Sequence, residues 1–429
     1  MGLFFTLFFL LYMLASPVVW IPELQFVPMQ IFIAILASLA SVPRLLSGSL
    51  FRKTPQITVF TVFFGLVMAS TLLDVYLRGT LIALNEQLPY LLLMFLIRIN
   101  VDTASRRRVL LGSMLTLLVA LAVFGSINYH RYDGDPRSRW VFRHVPESEE
   151  SEDAEVETSD FRLKAQGLLD DPNDFAQALL IGIAFSIVLR AKDLPIKNAL
   201  LLLCSAALFY GVYLTKSRGA LVAVAISLTV AFRRKLTFIG STLIGAAAAS
   251  GLLLIRFVGG RQISLSEGAE RLDLWSEGLQ MLKHAPWGIG YHNYTDQVGL
   301  TAHNSFLLVA VENGLLGMTT FIGGFVICFY HLNRIVVPAP GYDPDPGFAR
   351  EARAMELAMT AYLATAWFLS RAYSPLPYML VALVASLASQ EQDRLPDVEL
   401  LPRWPTLART TIIVSICALV AIYVLVRLR

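Results

Sequence analysis

Arginine side chains stand at two polar breaks in an otherwise apolar chain. Arg218 follows Lys216 between two apolar runs, and Arg271 lies in a later polar stretch. Arginine is costly inside lipid, so it persists there where it is paired or bound to a ligand. Its planar guanidinium can bind a phosphate or a carboxylate through two parallel hydrogen bonds. Both arginines are therefore candidates for binding an anion. The alternative is an arginine that only extends from a helix end towards water.

A histidine stands at the start of a long apolar run. His303 and Asn304 directly precede that run. A histidine with its ordinary pKa of about 6.5 is largely neutral at neutral pH and can accept a proton from a hydroxyl. A position at a helix N-terminus favours the neutral form further. His303 is thus a candidate general base, with a purely structural role as the alternative. The polar, glycine-rich stretch 312–317 predicts a kink or a close helix contact in the same helix.

Two further polar groups fall within or beside apolar runs. Glu86 lies in the fourth run, and an intramembrane carboxylate indicates a functional site unless it forms an ion pair, here with Arg78. The stretch 170–174 carries residue types that suit a metal, but Asp or Asn before a helix with Pro172 is more economically a helix cap. The sequence lacks the motifs of P-loop ATPases, zinc hydrolases and serine hydrolases.

Composition predicts the elements that hold these residues. The chain has 429 residues, of which 56% are apolar and 16% charged. Soluble domains average roughly 45–50% apolar and 25% charged residues, so the chain is an all-α polytopic membrane protein. The net charge of +3 arises from 35 basic and 32 acidic residues, a balance too even to indicate a nucleic-acid partner.

Hydropathy predicts about 12–13 transmembrane helices. The apolar runs cover 3–20, 27–46, 57–75, 81–98, 109–127, 174–190, 197–214, 219–232, 236–257, 303–330, 352–370, 376–388 and 409–427. No basic segment precedes the first run, which favours an uncleaved anchor over a signal peptide. Basic residues concentrate in alternate loops, which places the N-terminus inside. Arg78, Lys216, Arg218 and Arg371 then lie on the outer side.

These runs divide the chain into helical regions and two long outer loops. The regions are N-terminal helices over 1–127, a loop over 128–173, central helices over 174–257, a loop over 258–302 and C-terminal helices over 303–429. The first loop turns acidic over 147–160, which is typical of a solvated, mobile stretch.

The second loop carries an apolar stripe at helical spacing, formed by Leu272, Trp275, Leu279 and Leu282. It predicts a helix that lies on the outer membrane surface, with Arg271 at its start.

Four motifs in this order resemble those of the bacterial O-antigen ligase and O-antigen polymerase superfamily. They are Gly167 followed by 171–176, the stretch 217–221, Arg271 with Trp275 and 286–290, and His303-Asn304 with the Gly-Leu-Leu-Gly at 314–317. The last one looks like the histidine motif of this superfamily. The resemblance covers roughly residues 165 to 330, and elsewhere only the hydropathy profile supports it.

The resemblance implies a membrane glycosyltransferase with a GT-C-like helical fold, located in the bacterial inner membrane. Such enzymes take a glycan from undecaprenyl diphosphate on the periplasmic side, without a nucleotide sugar, a metal or another cofactor. By the resemblance, Arg218 and Arg271 would bind the diphosphate of the donor, and His303 would activate the acceptor hydroxyl or help to orient a substrate. The candidate supporting residues are Asn304, Lys216, Arg78, Glu86 and Arg371.

The leading hypothesis is an O-antigen ligase-like enzyme that joins a lipid-linked glycan to an acceptor such as lipid A core. A polymerase would use a second lipid-linked repeat as its acceptor, and transfer to a protein hydroxyl is a related possibility. The competing class is a transporter or flippase for the same lipid. A flippase would need charged residues that continue through the membrane, whereas the candidate residues are expected at the outer face of the membrane.

Overall fold

The computed structural model describes residues 1–48, 54–73, 77–135, 138–144, 160–237, 239–240, 242–243, 245–247, 265–337, 342–395 and 400–428. Its helices are α1 (Gly2–Ala15), α2 (Met29–Leu46), α3 (Pro55–Leu73), α4 (Leu77–Asn100), α5 (Ala104–His130), α6 (Pro172–Leu189), α7 (Pro195–Leu214), α8 (Arg218–Phe232), α9 (Leu265–His284), α10 (Asn293–Val298), α11 (Ser305–Val336), α12 (Pro346–Ala366), α13 (Pro375–Arg394) and α14 (Trp404–Arg427). Short helical turns cover Pro17–Trp20, Pro22–Phe26 and Gly167–Leu169, and two strands, β1 (Val141–His144) and β2 (Asp160–Leu163), pair antiparallel.

The helices confirm an all-α polytopic membrane protein. Among the described residues, 8 helices are long and apolar enough to cross a membrane, namely α2 to α7, α11 and α14. The shorter helices α1 and α8 are apolar as well. A helix occupies each predicted apolar run except 236–257, most of which lies outside the described residues.

The first predicted run, 3–20, is wrong as a single helix. Helix α1 ends at Ala15, and Ser16 adopts a left-handed conformation with φ 45°. Proline disfavours helical geometry in the residue before it, so Pro17 starts a separate turn rather than continuing α1. A hydropathy profile does not detect this break, because the residues on both sides of it are apolar.

Helices α12 and α13 lie inside the bundle. Every residue of α13 from Pro375 to Ser389 is buried, and its neighbours are α4, α11 and α12. Polar side chains such as Ser386 and Glu391 are tolerated there because other helices, not lipid, surround them. This explains why α12 and α13 have the length of a membrane span without its full apolar composition.

Helix α11 is interrupted at Gly314, where the segment 286–290 packs against it. Gly314 has φ 72° and ψ −179°, which interrupts the helix. The backbone N–H of Ile289 donates to Val311 O at 3.0 Å, and that of Gly290 donates to Glu312 O at 2.9 Å. In return, Leu315 N donates to Pro286 O at 3.0 Å. The kink predicted at 312–317 is thus confirmed, and the segment 286–290 supplies the hydrogen bonds that the helix loses there.

The apolar stripe of α9 packs against the protein, so the stripe is not evidence for a place on the outer membrane surface, which stays a prediction. Trp275 and Leu282 are buried, and Trp275 Nε1 donates to Ala302 O at 2.9 Å. Gly278 lies against Leu307 of α11. The prediction of Arg271 at the helix start is wrong, since α9 already includes Leu265. An apolar stripe indicates that one face is covered but does not show what covers it.

The long loop before α6 contains the β1–β2 hairpin, which the sequence did not predict. Phe142 pairs with Arg162 across the two strands. Tyr129 OH, near the end of α5, donates to Phe161 O at 3.1 Å and fastens the hairpin to the bundle. The acidic stretch 147–160 lies outside the described residues, apart from the backbone of Asp160 in β2.

Candidate functional site

A cavity of about 460 Å³ lies at the end of the bundle where α7 ends and α6, α8 and α11 begin. Arg218, Arg271 and His303, which come from three separate parts of the sequence, all line it. The hairpin forms part of its wall through Phe142 and Arg162. The structure therefore brings the three principal candidate residues into one site.

Arg218 is presented by a tight turn between two helices. Helix α7 ends at Leu214, and Lys216 takes a left-handed conformation with φ 50°. The Ser217 hydroxyl then accepts a hydrogen bond from Ala220 N at 3.3 Å and caps α8, so that Arg218 is the first residue of that helix. Serine is among the preferred N-cap residues because its oxygen satisfies an otherwise unpaired backbone N–H. The polar break in the sequence is thus a helix–turn–helix connection that directs Arg218 towards the cavity.

His303 stands in the same kind of turn at the start of α11. It has a left-handed conformation with φ 47°, and the following Asn304 side chain accepts hydrogen bonds from Phe306 N and Leu307 N, both at 3.0 Å. A left-handed conformation is uncommon for a residue other than glycine and persists only where its surroundings hold it. The local chain therefore fixes the direction of the imidazole, and Asn304 acts as the cap of α11.

The surroundings of His303 keep its imidazole neutral. Burial lowers the pKa of His303 below its ordinary value, and the positive charge of Arg271 lowers it further, against a weaker opposite effect from Asp171. A neutral imidazole has a lone pair that can accept a proton from a hydroxyl. The Trp275–Ala302 hydrogen bond holds the helix that carries Arg271 beside the residue that precedes His303.

Asp171 caps a helix, as the residue types at 170–174 predict. Its Oδ1 accepts a hydrogen bond from Asn173 N at 2.7 Å, and Pro172 follows as the first residue of α6. Among the described residues there is no group of three or more His, Cys, Asp or Glu side chains placed to hold a metal ion. Asp171 also lines the cavity, together with Glu270 of α9.

The cavity favours an anion for two physical reasons. Three helices, α6, α8 and α11, begin at its wall, and helix N-termini carry a partial positive charge with unpaired N–H groups. Guanidinium groups from three different elements line the wall as well, those of Arg162, Arg218 and Arg271. They outnumber the two carboxylates of Asp171 and Glu270, so the wall carries a net positive charge that suits an anion.

The candidate supporting residues do not line the cavity. The Arg371 guanidinium forms an ion pair with Asp174 of α6, and its backbone N–H donates to Ser305 Oγ at 2.9 Å. Lys216 belongs to the turn before Arg218. None of Asn304, Lys216, Arg371, Arg78 and Glu86 is among the described residues that line the cavity.

Glu86 belongs to a separate polar cluster. Its Oε2 accepts a hydrogen bond from Tyr291 OH at 2.8 Å and lies 3.3 Å from His292 Nε2. The ion pair with Arg78 that was the alternative is therefore not the contact that Glu86 makes. Both partners lie between the segment 286–290, which contacts the α11 break, and the start of α10.

The part of the chain that carries the three principal cavity residues is similar to known proteins. The family model described as O-antigen ligase matches residues 199–322, a segment that contains Arg218, Arg271 and His303. The chain is also 26% identical over 204 residues to a protein named O-antigen polymerase from Salmonella muenchen, covering 42% of this chain and 51% of that relative. Both comparisons confirm the resemblance of the chain to the O-antigen ligase and polymerase superfamily.

The match to this superfamily covers only part of the protein. The chain spans about half the length of the relative that it matches. Several residues of the cavity wall, including Phe142, Arg162 and Asp171, lie before the segment that the O-antigen ligase model covers. Arg162 was missed by sequence reasoning, because no local motif marks it and only the pairing of β1 with β2 brings it to the cavity.

Proposed function

We propose that this protein is a membrane glycosyltransferase that transfers a glycan from undecaprenyl diphosphate to an acceptor hydroxyl. The observation that carries the proposal is the convergence of Arg218, Arg271 and His303 on one cavity at the end of a helical bundle. A polyprenyl donor keeps its tail in the bilayer and its diphosphate near the membrane surface, which is where helix ends lie. Similarity to the O-antigen ligase and polymerase superfamily supports the same reaction class.

The reaction needs charge stabilisation and alignment more than it needs a strong nucleophile. The bond between the anomeric carbon and the diphosphate oxygen breaks, and the diphosphate leaves with the electron pair. The acceptor oxygen forms the new bond to the anomeric carbon and gives its proton to His303. Arg218 and Arg271 stabilise the charge that develops on the diphosphate, in the role that a divalent cation would otherwise have. The cavity wall holds the two substrates in line.

Our first candidate for the acceptor is lipid A core or a similar glycan, which makes the protein an O-antigen ligase acting at the periplasmic face of the inner membrane. The second candidate is a lipid-linked repeat, which makes it a polymerase. The name of the Salmonella muenchen relative, O-antigen polymerase, favours the second candidate.

The test is to incubate the purified protein in detergent and EDTA with undecaprenyl diphosphate-linked oligosaccharide, and to size the products. A ladder of longer lipid-linked glycans with released undecaprenyl diphosphate would identify a polymerase. If the donor is unchanged alone but consumed after lipid A core is added, the protein is a ligase. A requirement for an added divalent cation would contradict the role given to the arginines. A change in donor sidedness in sealed vesicles without a change in the glycan would instead indicate a flippase.

Histidine variants test the proposed base. His303→Ala should lower turnover by about 10²–10⁴-fold, the usual contribution of a positioned general base. His284→Ala is the matched control, because His284 is exposed in the last turn of α9 and does not line the cavity. If the two variants are equally active, His303 is not the base. If only the folded yield of His303→Ala falls, its role is structural.

A further inference from the structure

Arg162 is the third arginine of the cavity wall, and it comes from the hairpin rather than from a helix end. It lies in β2 opposite Phe142 of β1, and both side chains line the cavity. Neither the superfamily motifs nor the matched segment 199–322 includes it. Its position next to Arg218 and Arg271 calls for a functional explanation.

The guanidinium of Arg162 connects two helix ends. Its Nε donates to the backbone oxygen of Thr215 at 3.1 Å, at the end of α7. Its Nη2 donates to Asn173 Oδ1 at 2.9 Å, in the first turn of α6. One side chain thus joins the hairpin, the end of α7 and the start of α6, which are three parts of the same wall.

The contact with Thr215 acts on the turn that presents Arg218. Thr215 is followed by Lys216, whose left-handed conformation has φ 50°, and then by the cap Ser217. Such a conformation persists only where neighbouring groups hold it. A cation at the C-terminal end of a helix is also favoured, because the last carbonyl oxygens carry a partial negative charge. The Arg162 guanidinium binds the Thr215 carbonyl, directly before Lys216. It can therefore hold the conformation of Lys216 and also stabilise the C-terminal end of α7.

We propose that Arg162 is a positioning residue for the donor diphosphate. It holds the turn that directs Arg218 into the cavity and adds a third positive charge to the wall. This inference rests on the proposed function, because it assigns Arg162 to the same diphosphate site. It goes further in giving the hairpin a part in donor binding.

The geometry requires arginine rather than lysine. The two acceptors, Thr215 O and Asn173 Oδ1, belong to different helices, and the planar guanidinium reaches both at once. A lysine keeps the charge but has a single ammonium group and cannot reproduce this fork. Arg162→Lys should therefore weaken binding of the donor by roughly ten- to hundredfold, the equivalent of one lost charge-assisted hydrogen bond. The effect on kcat should be smaller than the effect on Kd, because Arg218 keeps its own guanidinium and neither His303 nor the acceptor is touched.

Arg143 provides a matched control on the same hairpin. It lies in β1 directly after Phe142, is exposed, and does not line the cavity. Arg143→Lys and Arg143→Ala change the same residue type, and the alanine variant removes the same charge from the same hairpin. Both should bind the donor as the wild type does.

The experiment measures binding of undecaprenyl diphosphate to the full-length protein in detergent, together with KM and kcat for the lipid-linked donor. We expect Arg162→Lys to raise Kd and KM together, with at most a small fall in melting temperature in the absence of ligand and a fall in kcat that is smaller than the rise in Kd. Arg162→Ala should show a larger rise in both constants. If Arg162→Ala does not fold, the lysine variant still provides the comparison with Arg143→Lys.

The outcomes separate this inference from the proposed function. If Arg162→Lys binds undecaprenyl diphosphate like the wild type while Arg218→Ala does not, the role of Arg162 is overturned and the proposed function stands. If Arg162→Lys lowers kcat but leaves Kd unchanged, the positioning role is overturned too. If the wild type itself does not bind undecaprenyl diphosphate, both the inference and the proposed function fail.

Discussion

The positive charge of Arg271 opposes protonation of His303 across one cavity. The two residues are brought together by α9, which packs on the start of α11 through Trp275 and Ala302. Under the proposed function, Arg271 would bind the leaving diphosphate and would also keep the imidazole in the form that accepts a proton. That proposal couples donor binding to base activation, because both depend on where Arg271 lies.

The pH dependence of the reaction should reflect this coupling. Burial and Arg271 lower the pKa of His303, so its basic form persists below the ordinary histidine value of about 6.5. We expect the acidic limb of the kcat/KM profile to have its midpoint below the ordinary histidine value of about 6.5. The measurement is a pH–rate profile with the lipid-linked donor. An acidic limb centred above that value would contradict the role of His303 as the base.

Asp171 should shift the same acidic limb. Its negative charge raises the pKa of His303, so Asp171→Asn should move the limb to still lower pH, while asparagine retains the ability to cap α6. Asp170→Asn is the control, since Asp170 is more exposed and pairs with Lys164. The measurement is the position of the acidic limb in the pH–rate profiles of both variants. A limb that moves upward in Asp171→Asn would show that Asp171 does not act on the base.

Arg218→Lys should impair donor use although it preserves the charge. A lysine cannot bind a phosphate through two parallel hydrogen bonds, so we expect KM for the donor to rise by about tenfold or more. Arg190→Lys is the control, because Arg190 is exposed at the other end of α6. Steady-state kinetics of both variants provide the comparison. Wild-type kinetics in Arg218→Lys would reject the two-bond contact with phosphate.

The sequence predicted the parts of the site that lie at the ends of apolar runs. In the sequence, Arg218 lies at a polar break between two apolar runs and His303 at the start of a long one. The structure shows that Ser217 and Asn304 cap the helices that begin there. The apolar runs themselves predicted the helices, because a membrane span needs length and apolarity and little else. Local chemistry of this kind is visible within a window of a few residues.

The remaining features depend on contacts between distant parts of the chain. Arg162 reaches the cavity only because β2 pairs with β1 and the hairpin is fastened to α5. The stripe of α9 could face a membrane or a protein equally well, and the choice is made by Leu307 and Ala302. The partner of Glu86 is Tyr291, more than two hundred residues away. Periodicity identifies a face, but it does not identify the partner of that face.

Gly314→Ala should destabilise the protein at the break in α11. A Cβ on Gly314 would lie 2.4 Å from the carbonyl carbon of Trp287, and the φ of 72° is itself unfavourable for alanine. Backbone strain of this kind costs about 1–3 kcal/mol, and the overlap with rigid backbone adds to it. We expect a lower melting temperature and a smaller folded yield in detergent.

Gly112→Ala is the matched control for the break. Gly112 lies within α5, and a Cβ there would meet nothing within 4 Å. Alanine favours a helix over glycine by about 0.5–1 kcal/mol, so this variant should be as stable as the wild type or slightly more stable. If both glycine variants melt alike, the insertion of 286–290 into α11 does not contribute to stability as described.

Glu351→Gln should destabilise the opposite end of the bundle. Arg107 Nε lies 2.5 Å from Glu351 Oε1, and the two side chains are only 1% and 5% exposed. The substitution leaves the charge of Arg107 buried without its partner, which costs about 3–5 kcal/mol.

Asp102→Asn is the control, since Asp102 pairs with Arg106 at 2.7 Å while about a third of each side chain is exposed. An exposed pair contributes at most about 1 kcal/mol, so thermal unfolding in detergent should separate the two variants clearly. Donor binding per folded molecule should be unchanged in both, because neither pair lines the cavity. If Glu351→Gln and Asp102→Asn have the same melting temperature, water or a neighbouring group replaces the lost partner of Arg107.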